Sequence, residues 1–125
     1  MQKDKACRKN LSFNYLEKLH LQKDFKMMFQ KGLKFDASVV KILAYKREGV
    51  QIRRLGLITS RKAGNAVERN LAKRRLREIF RTNKRSLVCG LDLIFISKPK
   101  IADMKYRDLQ KMILDILANA RLYKR

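Results

Sequence analysis

Short apolar runs interleaved with helix-period stripes predict a small α+β domain in which helices cover a sheet. Three observations carry that reading. The chain has 125 residues and is 46% hydrophobic, enough to fill one core and too short for two ordinary domains. Helical patterns at 22–31, 66–83 and 106–122 alternate with strand patterns at 39–45, 55–60 and 91–97, in the order α-β-β-α-β-α. Nothing resembles a linker or an internal repeat: there are five glycines, and the single proline is Pro99.

Each element follows from local chemistry. Residues 1–17 are polar and basic and read as a loosely held arm, leaving 18–125 as the folded domain. In residues 22–31, Phe25, Met28 and Phe29 recur at i, i+3 and i+4, and Gly32 stands where a helix-ending glycine belongs. Residues 39–45 are rich in aliphatic and β-branched side chains; a turn at 49–53 leads into a second strand at 55–60. The run Leu91 to Ser97 is almost continuously apolar and closed by Pro99, which fits a buried central strand. Leu109, Met112, Ile113, Ile116, Leu117 and Ala120 then mark the core face of a last helix at 106–122.

Charge narrows the function. Thirty-two Lys and Arg against 11 Asp and Glu give a formal net charge of +21. Such a surplus works against compaction, and a polyanionic partner, nucleic acid foremost, relieves it. No stretch approaches the roughly 20 apolar residues of a membrane span. Residues 1–10 lack the apolar segment of a signal peptide, so a cytoplasmic protein is expected. Cys7 and Cys89, with His20 as the only imidazole, cannot supply a four-ligand zinc site, and the cysteines read as idle thiols in a reducing compartment.

The most informative stretch runs from Ser60 to Arg85. On a wheel of about 100° per residue, Ala72, Leu76, Ile79 and Phe80 share one arc, while Asn70, Lys73, Arg74, Arg77 and Arg81 share another. An ordinary solvated helix mixes signs to gain i,i+4 pairs, yet Lys73 and Arg77 are like charges at that spacing. A phosphate backbone would relieve the repulsion, and arginine forks suit bidentate phosphate contacts. Gly64 and Asn65 make a tight turn ahead of the helix, expected to expose backbone N–H groups beside Arg61 and Lys62.

The run Gly64-Asn65-Ala66-Val67-x-Arg69-Asn70-x-x-Lys73-Arg74-x-x-Arg77-Glu78 resembles the signature of the bacterial ribonuclease P protein family. The preceding segment from Leu55 to Lys62, the helix with Asp24, Phe25, Phe29 and Gly32, and the segment from Phe95 to Pro99 are similar to the family's in the same order. One position departs: Leu71 stands where the family usually has a second arginine, so no arginine role transfers to it. Arg75, its neighbour on the wheel, is a possible substitute.

The resemblance implies an α-β sandwich with a sheet of about four strands and three helices, like the second domain of ribosomal protein S5. It also implies a left-handed βαβ crossover, against the generic right-handed rule. It implies that Lys62, Asn65, Arg69, Asn70, Lys73, Arg74 and Arg77, with Arg61 and Arg81 beside them, bind the catalytic ribonuclease P RNA. A second surface, a cleft for the 5′ leader of precursor tRNA, would use Phe25 and Phe29, which by spacing alone read rather as core packing. Of residues 40–43, Val40 and Ile42 are assigned to the cleft, although a one-residue slip would reverse the face. The implied reaction is endonucleolytic removal of the leader, with Mg²⁺ held mainly by the RNA and substrate and no catalytic residue on the protein. Asp92, Asp103, Asp108 and Asp115 are indeed scattered over different elements, unlike a two-metal nuclease site. No membrane or small-molecule substrate is expected. The rival readings are a ribosomal or ribosome-assembly protein, a DNA-binding module and a protein-only nuclease.

Overall fold

The structure, a computed structural model, describes residues 17–19 and 22–124. In chain order it contains α1 (Gln22–Lys31), β1 (Leu33–Asp36), β2 (Val40–Lys46), β3 (Arg54–Thr59), α2 (Ala66–Asn83), β4 (Leu91–Ser97) and α3 (Tyr106–Asn119). Single 3-10 turns stand at Arg61–Ala63, Lys84–Ser86 and Ile101–Asp103. The strands form one sheet in the order β1-β2-β4-β3. Both β1–β2 and β2–β4 are antiparallel; β3 and β4 are parallel neighbours, so the chain must cross over between them, and α2 is that crossover.

Alternation along the strands sorts side chains onto two faces. Val40, Ile42 and Ala44 of β2, Leu55 of β3 and Leu91, Leu93 and Phe95 of β4 face one way. The buried stripes of α2 (Ala72, Leu76, Ile79, Phe80) and α3 (Leu109, Ile113, Leu117) close over them. Each large side chain removed from water here contributes about 1.5–3 kcal/mol before the cost of ordering it. On the opposite face Leu43 and Ile94 receive α1 through Met28, with Leu19 beside it. Helices thus cover both sides of a four-stranded mixed sheet, the α+β sandwich expected.

The helices at 22–31 and 66–83 and the strand at 91–97 coincide with the sequence reading. By contrast, β1 has no counterpart in the residue pattern. It is a four-residue edge strand with only Phe35 partly buried, so it shows no alternation of apolar and polar positions. The last helix stops at Asn119, short of the expected 122, because Arg121 takes a left-handed φ of 61° and turns the chain back. Leu122 is still buried, held by its N–H to the Leu117 carbonyl (3.0 Å), which is why it continued the apolar stripe in sequence.

Two expectations need correction, one at the boundary of the arm and one at Cys89. Glu17, assigned to the arm, is part of the fold: its carboxylate accepts two bonds from the buried Lys84 ammonium at 2.6 and 2.7 Å. Leu19 donates its N–H to the Leu55 carbonyl, laying this short segment along the free edge of β3. Residues 1–16 lie outside the described residues, as do Cys7 and His20. Cys89 is in a disulfide and is not the idle thiol expected.

Buried charges among the described residues have partners inside the fold. Asp92 is fully buried, its carboxylate accepting from Arg54 at 2.9 and 2.7 Å with Arg47 Nε at 3.1 Å. Arg54 in turn reaches Asp24 of α1 at 3.3 Å, so a single carboxylate links β4, β3, the end of β2 and, through Arg54, α1. Arg53 is buried as well, and burial lowers its pKa; its guanidinium donates to the Leu87 carbonyl at 2.9 and 2.6 Å.

Removing one member of a buried pair leaves the other charge uncompensated. Asp92→Ala is expected to lower the unfolding free energy by about 3–5 kcal/mol in a urea titration. Lys111→Ala breaks an exposed i,i+4 pair with Asp115 and is expected to change it by about 0.5 kcal/mol or less.

Candidate nucleic-acid interface

The strand β3 ends at Thr59 and delivers the chain into the turn Arg61–Ala63, where Arg61 and Lys62 are exposed and Ala63 is buried as the anchor. Gly64 follows with φ 132°, and a Cβ there would lie 2.6 Å from Glu68 Oε1. The missing side chain lets Glu68 fold back over the helix start. Asn65 caps α2: its Oδ1 accepts from the Glu68 N–H at 2.8 Å, while Glu68 Oε1 accepts from the Asn65 N–H at 2.9 Å. This capping box satisfies two of the donors that the sequence reading left exposed. Asn65, expected as an RNA contact, therefore commits its carbonyl oxygen to the helix.

Along α2 the buried stripe fixes which way the charges point. Asn70, Arg74 and Arg77 are exposed, with Lys73 half-buried beside them. Among the described residues, Arg61, Lys62, Lys73, Arg74 and Arg77 form no ion pair. The row is a run of uncompensated cations along one side of the helix, extended past its start by the turn.

Not every basic residue in the motif belongs to that row. Arg81 donates to Glu78 at 3.0 Å, and the guanidinium holds the Glu78 carboxyl below its ordinary range. Arg75 donates to the Met104 carbonyl at 2.6 Å, tying α2 to the segment before α3, so it is not placed to stand in for an arginine at 71. Lys84 is buried against Glu17. Arg69 is half-buried on the side nearer the sheet, with its Nε enclosed and without a hydrogen-bond partner. Sequence spacing could not separate these roles, because the partners come from elsewhere in the chain.

The second expected surface lies on the opposite face of the sheet. Asp24 ties the start of α1 to Arg54 at the beginning of β3, and Phe25 and Phe29 fall on the flank of α1 away from Asp24. Phe25 is half-buried, pressed on Gly56, where a Cβ would sit 2.8 Å from its Cζ. Phe29 is 43% exposed and lies outside both core clusters, so core packing does not account for it. Beyond α1, the same face shows the half-buried Lys41, Ile58 and Ile96.

Val40 and Ile42 do not line this cleft. Both are fully buried on the other face, beneath α2 and α3. The register is the reverse of the one assumed: Lys41, Leu43 and Tyr45 point toward α1, paired with Ile96, Ile94 and Asp92. Successive strand residues alternate, so apolar character at 40, 42, 43 and 44 cannot identify the face until the helices are placed.

A cavity of about 240 Å³ joins the two surfaces around the free edge of β3. Leu19, Phe25 and Leu57 are among its walls, Gly56 its floor, and Arg77 of α2 and Lys18 its basic rim. No three His, Cys, Asp or Glu side chains converge among the described residues. The acids at Asp24, Asp36, Glu78, Asp92 and Asp115 are each in an ion pair with a basic side chain. No helix among them is long and apolar enough to cross a membrane.

Comparison with known proteins finds a family and several relatives that this chain resembles. Residues 13–121 match the family model described as Ribonuclease P. The chain is 36% identical over 104 residues to the ribonuclease P protein component of Streptococcus pneumoniae, covering 82% of this chain and 83% of that one. Among solved structures it is similar to the Staphylococcus aureus RNase P protein, with a TM-score of 0.77 and 27% identity, covering 86% of this chain and 98% of the other. The Thermotoga maritima RNase P protein superposes with a TM-score of 0.71 and 32% identity, covering 81% and 94%.

The cap geometry yields a test of the turn. Asn65→Ala is expected to destabilise the protein by about 1 kcal/mol, read as a lower Tm, whereas Asn65→Asp keeps a cap acceptor and stays near the parent.

Proposed function

The chain belongs to the ribonuclease P protein family, as a protein subunit of that endoribonuclease, and from this premise we propose how its two surfaces divide the work. The row Lys73, Arg74 and Arg77, extended by Arg61, Lys62 and Asn70, docks on the catalytic RNA of the enzyme, with Arg69 beneath its sheet side. The observation that carries this reading is the absence of any ion pair on Arg61, Lys62, Lys73, Arg74 and Arg77 among the described residues. Cations left unpaired along one side of a rigid helix repel one another and are stabilised when phosphates replace their counterions. Arg81 lies beyond the end of the row, its charge offset by Glu78.

The cleft beside α1 holds the unpaired 5′ leader of precursor tRNA. An exposed Phe29 next to half-buried Phe25 offers faces on which bases stack without sequence preference, as a variable leader requires. Lys41, on the same face, is placed for a backbone phosphate.

Hydrolysis of the phosphodiester bond at the mature 5′ end is assigned to the RNA. Asp24, Asp36, Glu78, Asp92 and Asp115 are each already paired with a basic side chain, which supports that assignment. Mg²⁺ is accordingly assigned to the RNA and substrate, with the protein supplying binding and leader placement. The cytoplasm is the compartment in which such a substrate is met.

Precursor-tRNA cleavage at low Mg²⁺ tests the reading, with the protein alone, a bacterial ribonuclease P RNA alone, and both together. Efficient cleavage only by the mixture is the expected result. Unchanged RNA activity would point to another RNA-binding role such as ribosome assembly, and cleavage by the protein alone would return catalysis to this chain. Arg74→Ala is expected to weaken binding to the RNA and to reduce the slope of log Kobs against log [salt] by about 0.7–0.9, the share of one phosphate contact. Phe29→Ala is expected to cost roughly 1–3 kcal/mol of affinity for precursor tRNA and little for mature tRNA, measured by competition.

A further inference from the structure

Cys89 is disulfide-bonded, and the sequence holds one other cysteine, Cys7. Residues 8–16 can span about 30 Å, and Glu17, where they end, is close enough for its charge to act on Arg53. Arg53 in turn donates from Nη2 to the Cys89 sulfur at 3.6 Å. It also donates to the Leu87 and Val88 carbonyls just ahead, which fixes its buried guanidinium beside that sulfur. A cation held there stabilises the thiolate, the form of cysteine that attacks and leaves in disulfide exchange. Cys89 is half-buried and lines a cavity of about 420 Å³ between the β2–β3 connection and Lys124. Lys46, Arg47 and Lys124 line it as well, against one acid, Glu48. The volume falls within the roughly 300–1,000 Å³ of small-molecule sites, and the excess of cations favours an anion.

We propose that Cys89 is a thiol–disulfide exchange site that takes an anionic low-molecular-weight thiol in this cavity and has Cys7 as its resolving partner. In the oxidising direction the Cys89 thiolate attacks one sulfur of a small disulfide, releasing one thiol and keeping the other on Cys89. The Cys7 thiolate then attacks the Cys89 sulfur and displaces that second thiol. Two protein thiols are oxidised, one small disulfide is reduced to two thiols, and the two protons pass to the departing thiolates. In the cytoplasm proposed above, such a bond is made and broken by the thiol pool instead of being permanent. Making it ties the arm that carries Lys3, Lys5, Arg8 and Lys9 to the end of the sheet where β4 begins. The turn Arg61–Ala63 stands at the other end, since β3 and β4 run parallel. The site does not depend on the RNA-docking reading.

Mass spectrometry of the full chain tests it, after reduction, exposure to oxidised glutathione, alkylation and cutting with trypsin. The expected product is peptide 6–8 joined to peptide 86–100 within one chain, and excess reduced glutathione is expected to part them. Cys7→Ser removes the resolving thiol and is expected to leave one glutathione on Cys89. Lys46→Glu in that background is expected to slow this step roughly tenfold, with no change for the neutral bis(hydroxyethyl) disulfide. A bond that joins two chains overturns the proposal, as does one that excess reduced glutathione does not break. No bond at all in a protein with a native melting curve overturns it too. So does a Cys7→Ser protein that stays unmodified, and so does equal slowing with both disulfides, which would leave the cavity no preference for an anion.

Discussion

Strand β4 is buried on both faces, and the carboxylate of Asp92 sits within it among the guanidiniums of Arg54 and Arg47. That arrangement constrains everything around it. Leu91, Leu93 and Phe95 must be covered on one side and Ile94 on the other, so helices are required on both. The paired charges then decide where those helices end. Arg54 cannot leave Asp92 without stranding a buried charge, and by also holding Asp24 it fixes the start of α1 over the beginning of β3.

From this frame the surface charge follows. Because β3 and β4 are parallel neighbours, the connection between them must run the length of the sheet, and α2 does so with Ala72, Leu76, Ile79 and Phe80 facing inward. The remaining sides of that helix have no choice but to face solvent or the loops at its flanks. Basic residues near a partner are drawn off: Arg75 to the Met104 carbonyl, Arg81 to Glu78 and Lys84 to Glu17. What remains unpaired is a narrower row than the composition suggests, and it is the one proposed to meet RNA.

Both proposed surfaces depend on glycines at close approaches. Gly64 admits Glu68 to the start of α2, and Gly56 admits the Phe25 ring to the sheet. A side chain at Gly56 would meet the Phe25 ring and the end of Leu19, so the ring would have to move off the sheet. The two surfaces thus flank one edge strand, with the short segment around Leu19 packed along it.

Much was legible from the order of residues alone: the fold class, the bounds of two helices and the central strand, and the cationic character of the helix at 66–83. These are local properties, since a stripe of apolar residues at 3.6-residue spacing or an unbroken apolar run constrains its own segment whatever surrounds it. The edge strand β1 stayed hidden because a short exposed edge needs no apolar alternation. The facing of β2 was read backwards because the strand is apolar on both sides, and only the placement of α1 against α2 and α3 distinguishes Val40 and Ile42 from Leu43. Which cations are free was likewise a tertiary decision. Arg74 and Arg75 are neighbours in sequence with the same chemistry; what separates them is a carbonyl 29 positions further along, brought within 2.6 Å of one and not of the other.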